Sequence, residues 1–129
     1  MFRFTLSAAA ISGFLAVALG AFGAHGLETM LDADRLATYQ TGVDYHMSHA
    51  LALFGVSLLM LQFPEEKILR LCGAMFIAGI IVFSGSLYLL SITGLSWLGA
   101  ITPIGGLGFL TGWFCLLRFA WKQRADGKN

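Results

Sequence analysis

Charge is what this sequence has least of. Asp, Glu, Lys and Arg make up 12% of its 129 residues, against 57% hydrophobic, and its mean hydropathy is +0.78. A soluble domain carries about 25% charged residues, so the composition excludes a chain solvated mainly by water and indicates one solvated mainly by lipid. The net charge of +1 offers no basic surface to a nucleic acid. The single basic cluster, Arg118, Lys122, Arg124 and Lys128, directly follows an apolar segment, where it suits a membrane-end anchor. Cysteine is also scarce. Cys72 and Cys115 match no metal or disulfide spacing, and they are expected as two buried apolar thiols. Catalytic sets are missing as well: there is no Ser-His-Asp order, phosphate loop or dinucleotide fingerprint. Gly105, Gly106 and Gly108 fall inside an apolar stretch, where a phosphate has no place. Nothing here points to an enzyme.

What is present is apolar length. A span needs about 20 predominantly apolar residues, and four segments qualify: about 4–24, 43–63, 68–91 and 98–121. The expected fold is therefore an all-α membrane protein, a compact bundle of four transmembrane helices in one domain. The first segment exceeds the ~7–15 apolar residues of a signal peptide and is expected to stay as a helix, ending at Gly26 in a left-handed cap. The second has a polar preface in which Asp32 or Asp34 can cap a helix. Leu36, Tyr39, Val43, Met47 and Ala50 then recur at helical spacing, which predicts one helix from about Asp34 into the membrane. Pro64 ends it. Residues 91–102 form either a short loop or a segment dipping into the membrane. The fourth helix starts at Pro103, with Thr102 as its cap, or starts near Ser96 and passes through Pro103.

Basic residues beside spans are held on the cytoplasmic side. Arg3, Lys67, Arg70 and the four C-terminal residues fall on one side, and only Arg35 on the other. Both termini are thus expected inside.

Membrane helices associate by close packing, and small residues permit it. Ala8, Ser12, Ala16, Gly20 and Ala24 form a ladder in the first helix. Gly108 and Gly112 form a G-x-x-x-G pair in the fourth. Packing within one bundle accounts for both patterns, and a homo-oligomer interface is the alternative. Because four short helices bury little surface, an oligomer is expected.

The three histidines, His25, His46 and His49, are all expected near the outer face. His46 and His49 lie three apart on α-helical spacing, and Ser84, Tyr88 and Ser91 approach that depth from the third helix. His25, His49, Ser84, Tyr88 and Tyr45 thus compose a candidate outward-facing polar pocket. Three imidazoles, His25, His46 and His49, could ligate a divalent metal. Two could ligate haem iron, and one could relay a proton. The alternative reading is interfacial capping, because H-x-x-H lacks the spacing and acidic partner of a hydrolytic zinc motif.

Four ordered strings carry a resemblance: Gly-Ala-Phe-Gly-Ala-His at 20–25, the segment Tyr45 to Leu51, Phe-Ser-Gly-Ser-Leu-Tyr at 83–88 and Thr-Pro-Ile-Gly-Gly at 102–106. Together they resemble the small inner-membrane proteins called UPF0382, or domain-of-unknown-function 423, whose eukaryotic relatives are called transmembrane protein 256. The resemblance spans nearly the whole chain. It implies a multi-pass bacterial inner-membrane protein and supplies no catalytic residues. His25, His49, Ser84, Ser86, Tyr88 and Pro103 fall within its motifs.

Three functions follow in order of preference. The first is a non-enzymatic structural or accessory bundle in the lipid bilayer, with other membrane proteins as its natural partners. The second is a protein binding a metal, haem or quinone-like ligand in the His/Tyr/Ser pocket. The third is a small channel or proton-linked carrier, disfavoured because the cytoplasmic halves of the spans offer few polar side chains.

Overall fold

A computed structural model describes residues 1–126, with side chains to Arg124; the expected anchor residue Lys128 lies outside them. The described residues form four long helices and no strand. Helix α1 covers Phe2–Leu27, α2 Ala33–Gln62, α3 Lys67–Thr93 and α4 Leu98–Asp126. Three of them, α1, α3 and most of α4, are long and apolar enough to cross a membrane.

Helix α2 begins where a carboxylate can satisfy its free amides. Oδ1 of Asp32 accepts the Arg35 N–H at 2.9 Å, leaving Asp34 inside the first turn. Gly26 does not end α1. The helix passes through Gly26 in a wider turn, Gly23–Leu27, with i→i+5 spacing. The left-handed cap belongs instead to Gly94, with φ 74°, at the end of α3. Arg35 Nη2 donates to the Ile92 carbonyl there at 2.8 Å. This neutralises a helix C-terminus and ties it to the start of α2. Only residues 94–97 separate α3 from α4, so the third link is a short turn. Pro103 falls inside α4 rather than at its start.

Side chains are distributed in the reverse of a water-soluble protein. Phe14 is 74% exposed, as are large parts of Ile104, Leu107, Leu110 and Phe114, whereas Thr5, Ser12, His46, His49, Ser57, Ser84, Ser86 and Ser91 are buried. Apolar side chains face outward where hydrocarbon solvates them, and the polar groups turn inward, where all of those named except Ser84 find partners. The described residues are an all-helical membrane protein.

Each helix packs mainly on its neighbours in sequence. Helix α1 lies along α2 and approaches α3 near its own start, where Thr5 faces Gly73. A Cβ added at Gly20 would press on Val43, and one at Gly23 would enter the Tyr39 ring. Ser12 and Ala16 are buried on the same side of α1, and Ala24 is exposed. Helix α4 packs along α3, with Gly108 against the backbone of Met75 and Gly79 and Gly112 beneath the Phe76 ring. Leu53, Leu69, Cys72 and Phe76, all 0% exposed, form the centre of the main core. The Cys72 thiol donates to the Gly112 carbonyl at 3.2 Å.

Candidate functional site

The polar side chains inside the bundle do not form one pocket; they divide between the two sides of α2. His46 points toward α1 and α3. Its Nδ1 is 3.0 Å from Tyr88 Oη and its Nε2 is 2.9 Å from Ser12 Oγ, so one imidazole joins three helices. His49, one turn later, points toward α4. Its Nδ1–H donates to its own helix at the Tyr45 carbonyl, 2.8 Å away. Nε2 is thereby left as the acceptor for the Trp113 indole N–H at 3.2 Å. This pair of bonds fixes a neutral tautomer. The ring stacks on Phe109 at a centroid distance of 3.6 Å.

The expected pocket of His25, His49, Ser84, Tyr88 and Tyr45 is therefore distributed over several places. Tyr88 meets His46 rather than His49. Tyr45 stacks with His49, Phe83 and Phe109 on the α4 side. Ser84 is wholly buried and its hydroxyl has no partner. His25 is exposed near the end of α1. It lies about 20 Å along the helix axis from Ser12, the residue that His46 touches.

The metal set of His25, His46 and His49 must be corrected for the same reason. Among the described residues no group of three or more His, Cys, Asp or Glu could hold a metal ion. Three-residue spacing on a helix turns side chains about 60° apart. With α3 on one flank and α4 on the other, that angle is enough to send the two rings to different neighbours. Neither imidazole has a lone pair left for a metal or haem iron in this arrangement.

The site also sits deeper than its histidines suggest. Ser12 is about 15 Å from Phe2 and about 22 Å from Leu27 along α1. The network of Ser12, His46 and Tyr88 therefore lies near the middle of that helix rather than at one end. The first turns of α2 run alongside the upper part of α1. There the Tyr39 hydroxyl donates to the Leu19 carbonyl at 2.8 Å.

Two cavities flank α2. One, of about 560 Å³, opens between α1 and α3 and has His46, Tyr88 and Ser12 in its lining. The other, of about 410 Å³, lies between α2 and α4 beside His49, Tyr45 and Trp113. A third polar contact, Ser86 Oγ to Thr102 Oγ1 at 2.7 Å, joins α3 to α4. Ser12 and Trp113 are the participants that the sequence did not assign to the site. Ser12 counted there only as a small packing residue. The signal for Trp113 was an indole N–H inside an apolar span, which must find an acceptor.

This combination of an apolar exterior and internal hydrogen bonds between helices defines an integral membrane helix bundle. The family described as "Protein of unknown function (DUF423)" matches residues 19–106, and the chain belongs to it. The chain is 49% identical over 108 residues to the UPF0382 membrane protein YwdK of Bacillus subtilis, covering 84% of this chain and 88% of that one. It is 42% identical over 120 residues to a UPF0382 membrane protein of Haemophilus influenzae, covering 93% and 95%. It is 41% identical over 126 residues to the UPF0382 inner membrane protein YgdD of Escherichia coli K12, covering 97% and 95%. No solved structure matches the chain.

Proposed function

We propose that this protein is a non-enzymatic structural or accessory bundle of the bacterial inner membrane, a single domain with four spans and both termini in the cytoplasm. One observation carries the reading: the polar side chains buried between the helices hold helices together. His46 links α1, α2 and α3, the His49–Trp113 bond links α2 and α4, and the Ser86–Thr102 bond links α3 and α4.

Helix α2 is the fourth span. Its average hydropathy is lowered by His46, His49 and Ser57, which face inward, while Leu51, Phe54, Leu58 and Leu61 face outward. An average over the whole helix cannot distinguish those two sides. The orientation follows from the basic residues. Lys67 and Arg70 flank the α2–α3 turn, and Lys122 of α4 pairs with Glu66 of that turn at 2.6 Å. Arg35 stands alone at the opposite end. The name of the Escherichia coli relative supports the inner-membrane address.

Single-cysteine labelling in intact cells tests the topology, with Cys72 and Cys115 replaced. A cysteine at Met30 is expected to react with an impermeant maleimide added outside, and one at Lys67 only after permeabilisation. Reaction of both from the same side overturns the four-span arrangement. Native mass spectrometry of the purified protein tests the rest. A homo-oligomer would use the exposed faces of α1 and α4, because Ser12, Ala16, Gly20, Gly108 and Gly112 are engaged within the chain.

A further inference from the structure

The cavity between α1 and α3 exists because those two helices diverge above Thr5 and Gly73, leaving α2 as its floor. Its walls run from Phe4 to Leu15 on α1 and from Ile77 to Tyr88 on α3, each about 17 Å of helix. They are almost wholly apolar, and the opening faces the hydrocarbon of the membrane reading above, on which this inference rests. Its volume of about 560 Å³ falls within the ~300–1,000 Å³ of small-molecule sites.

The polar groups of this groove are unequally satisfied. A neutral imidazole has one N–H and one lone pair. His46 therefore donates to one of its two hydroxyl partners and accepts from the other, whichever tautomer it adopts. The hydroxyl that accepts from His46 keeps its own proton, and among the described residues no acceptor for it is present. That proton belongs to Ser12, which is 8% exposed, or to Tyr88, and both line the groove. A buried donor without an acceptor is costly inside a membrane, and a ligand oxygen at this position would relieve it.

We propose that this groove binds an uncharged membrane lipid of the isoprenoid quinone class. One ring carbonyl accepts the unused hydroxyl proton of Ser12 or Tyr88, and the tail lies along the apolar walls. Depth selects this class. The donor sits near the middle of α1, where the ionic headgroup of a phospholipid cannot follow. A neutral ring carrying only carbonyl oxygens can.

Gly85 supplies the test, because it lines the groove and a Cβ added there meets nothing within 4 Å. Gly85→Leu places an isobutyl side chain at the groove from a position where its Cβ meets no neighbour. Gly55→Leu is the control, since Gly55 also faces open space and lies outside the groove. Protein in phosphatidylcholine nanodiscs would be titrated with a radiolabelled benzoquinone bearing one isoprene unit, with empty nanodiscs subtracted. Saturable binding near one molecule per chain is expected. Gly85→Leu should weaken it at least ten-fold, and Gly55→Leu should leave it unchanged. The double variant Ser12→Ala, Tyr88→Phe should weaken it by about 2- to 10-fold, as for one lost hydrogen bond. Absence of saturable binding, or equal binding by the two leucine variants, overturns the proposal. So does a tightly held phospholipid or a dimer that Gly85→Leu abolishes, because either would be the occupant of the groove instead. The topology labelling above is independent of all these results, so failure of the site and failure of the bundle reading are distinguishable.

Discussion

Two adjacent glycines in α4 should respond to alanine in opposite ways. A Cβ on Gly105 would stand 2.7 Å from Phe83 Cα and nearer still to Phe83 N, whereas a Cβ on Gly106 would meet only the edge of the Phe83 ring at 3.8 Å. Carbon atoms rest at about 3.5–4.0 Å. Gly105→Ala therefore obliges α4 to withdraw from α3 by about 1 Å. Phe83 cannot yield easily, because it lies in the i→i+5 turn Ile80–Ser84 of α3 and the clash is with its backbone. Overpacking of this kind costs about 1–3 kcal/mol. The better helix propensity of Ala returns up to ~1 kcal/mol, so a net loss of up to about 2 kcal/mol remains. At Gly106 the contact is ordinary and the propensity gain stands alone, so that variant should equal or exceed the parent. Unfolding by sodium dodecyl sulfate in mixed micelles, followed by circular dichroism, compares the two. The Gly105→Ala midpoint should fall while the Gly106→Ala midpoint holds or rises. Coincident midpoints for the two variants would refute close backbone approach as the reason for Gly105.

Two further outcomes are expected. His46→Leu removes the link between Ser12 and Tyr88 and should cost about 1 kcal/mol in the same unfolding assay, in keeping with hydrogen bonds between membrane helices; an unchanged midpoint would show that the imidazole does not join them. Asp32→Ala deletes the cap of α2 and should cost about 0.5–2 kcal/mol. Hydrogen exchange should locate that loss at the Arg35 amide, and unaltered exchange there would contradict the capping contact.

Much of the architecture was legible from residue order alone. Four apolar stretches, the carboxylate ahead of α2, the proline after it and the basic residues beside three of the span ends are local features, and local chemistry is enough to read them. Three details were misjudged or left open where distant contacts decide. Gly26 had the sequence context of a helix stop, but α1 continues there through a wide turn whose Gly23 accommodates the Tyr39 ring. Pro103 suited a helix start as well as a helix interior, and the turn at 95–97 selects the second by beginning the helix a turn and a half earlier. The histidines looked like companions because they share an end of the chain map. Depth along α1 and the choice of neighbour for each face of α2 separate them.

Residue order by itself thus determined that the chain enters a membrane, how many helices it makes and where most of them begin. Those properties follow from hydrophobic length and from backbone groups that must be satisfied within each segment. Only the tertiary structure decided that His46 meets Ser12 and Tyr88, that His49 meets Trp113, and that α1 and α3 diverge to leave a groove. The physical reason is that azimuth and relative depth of packed helices are set by side-chain volumes at contacts such as Gly105 on Phe83 and Gly20 on Val43. Such contacts join residues far apart in the chain, and no pattern within a single helix encodes them.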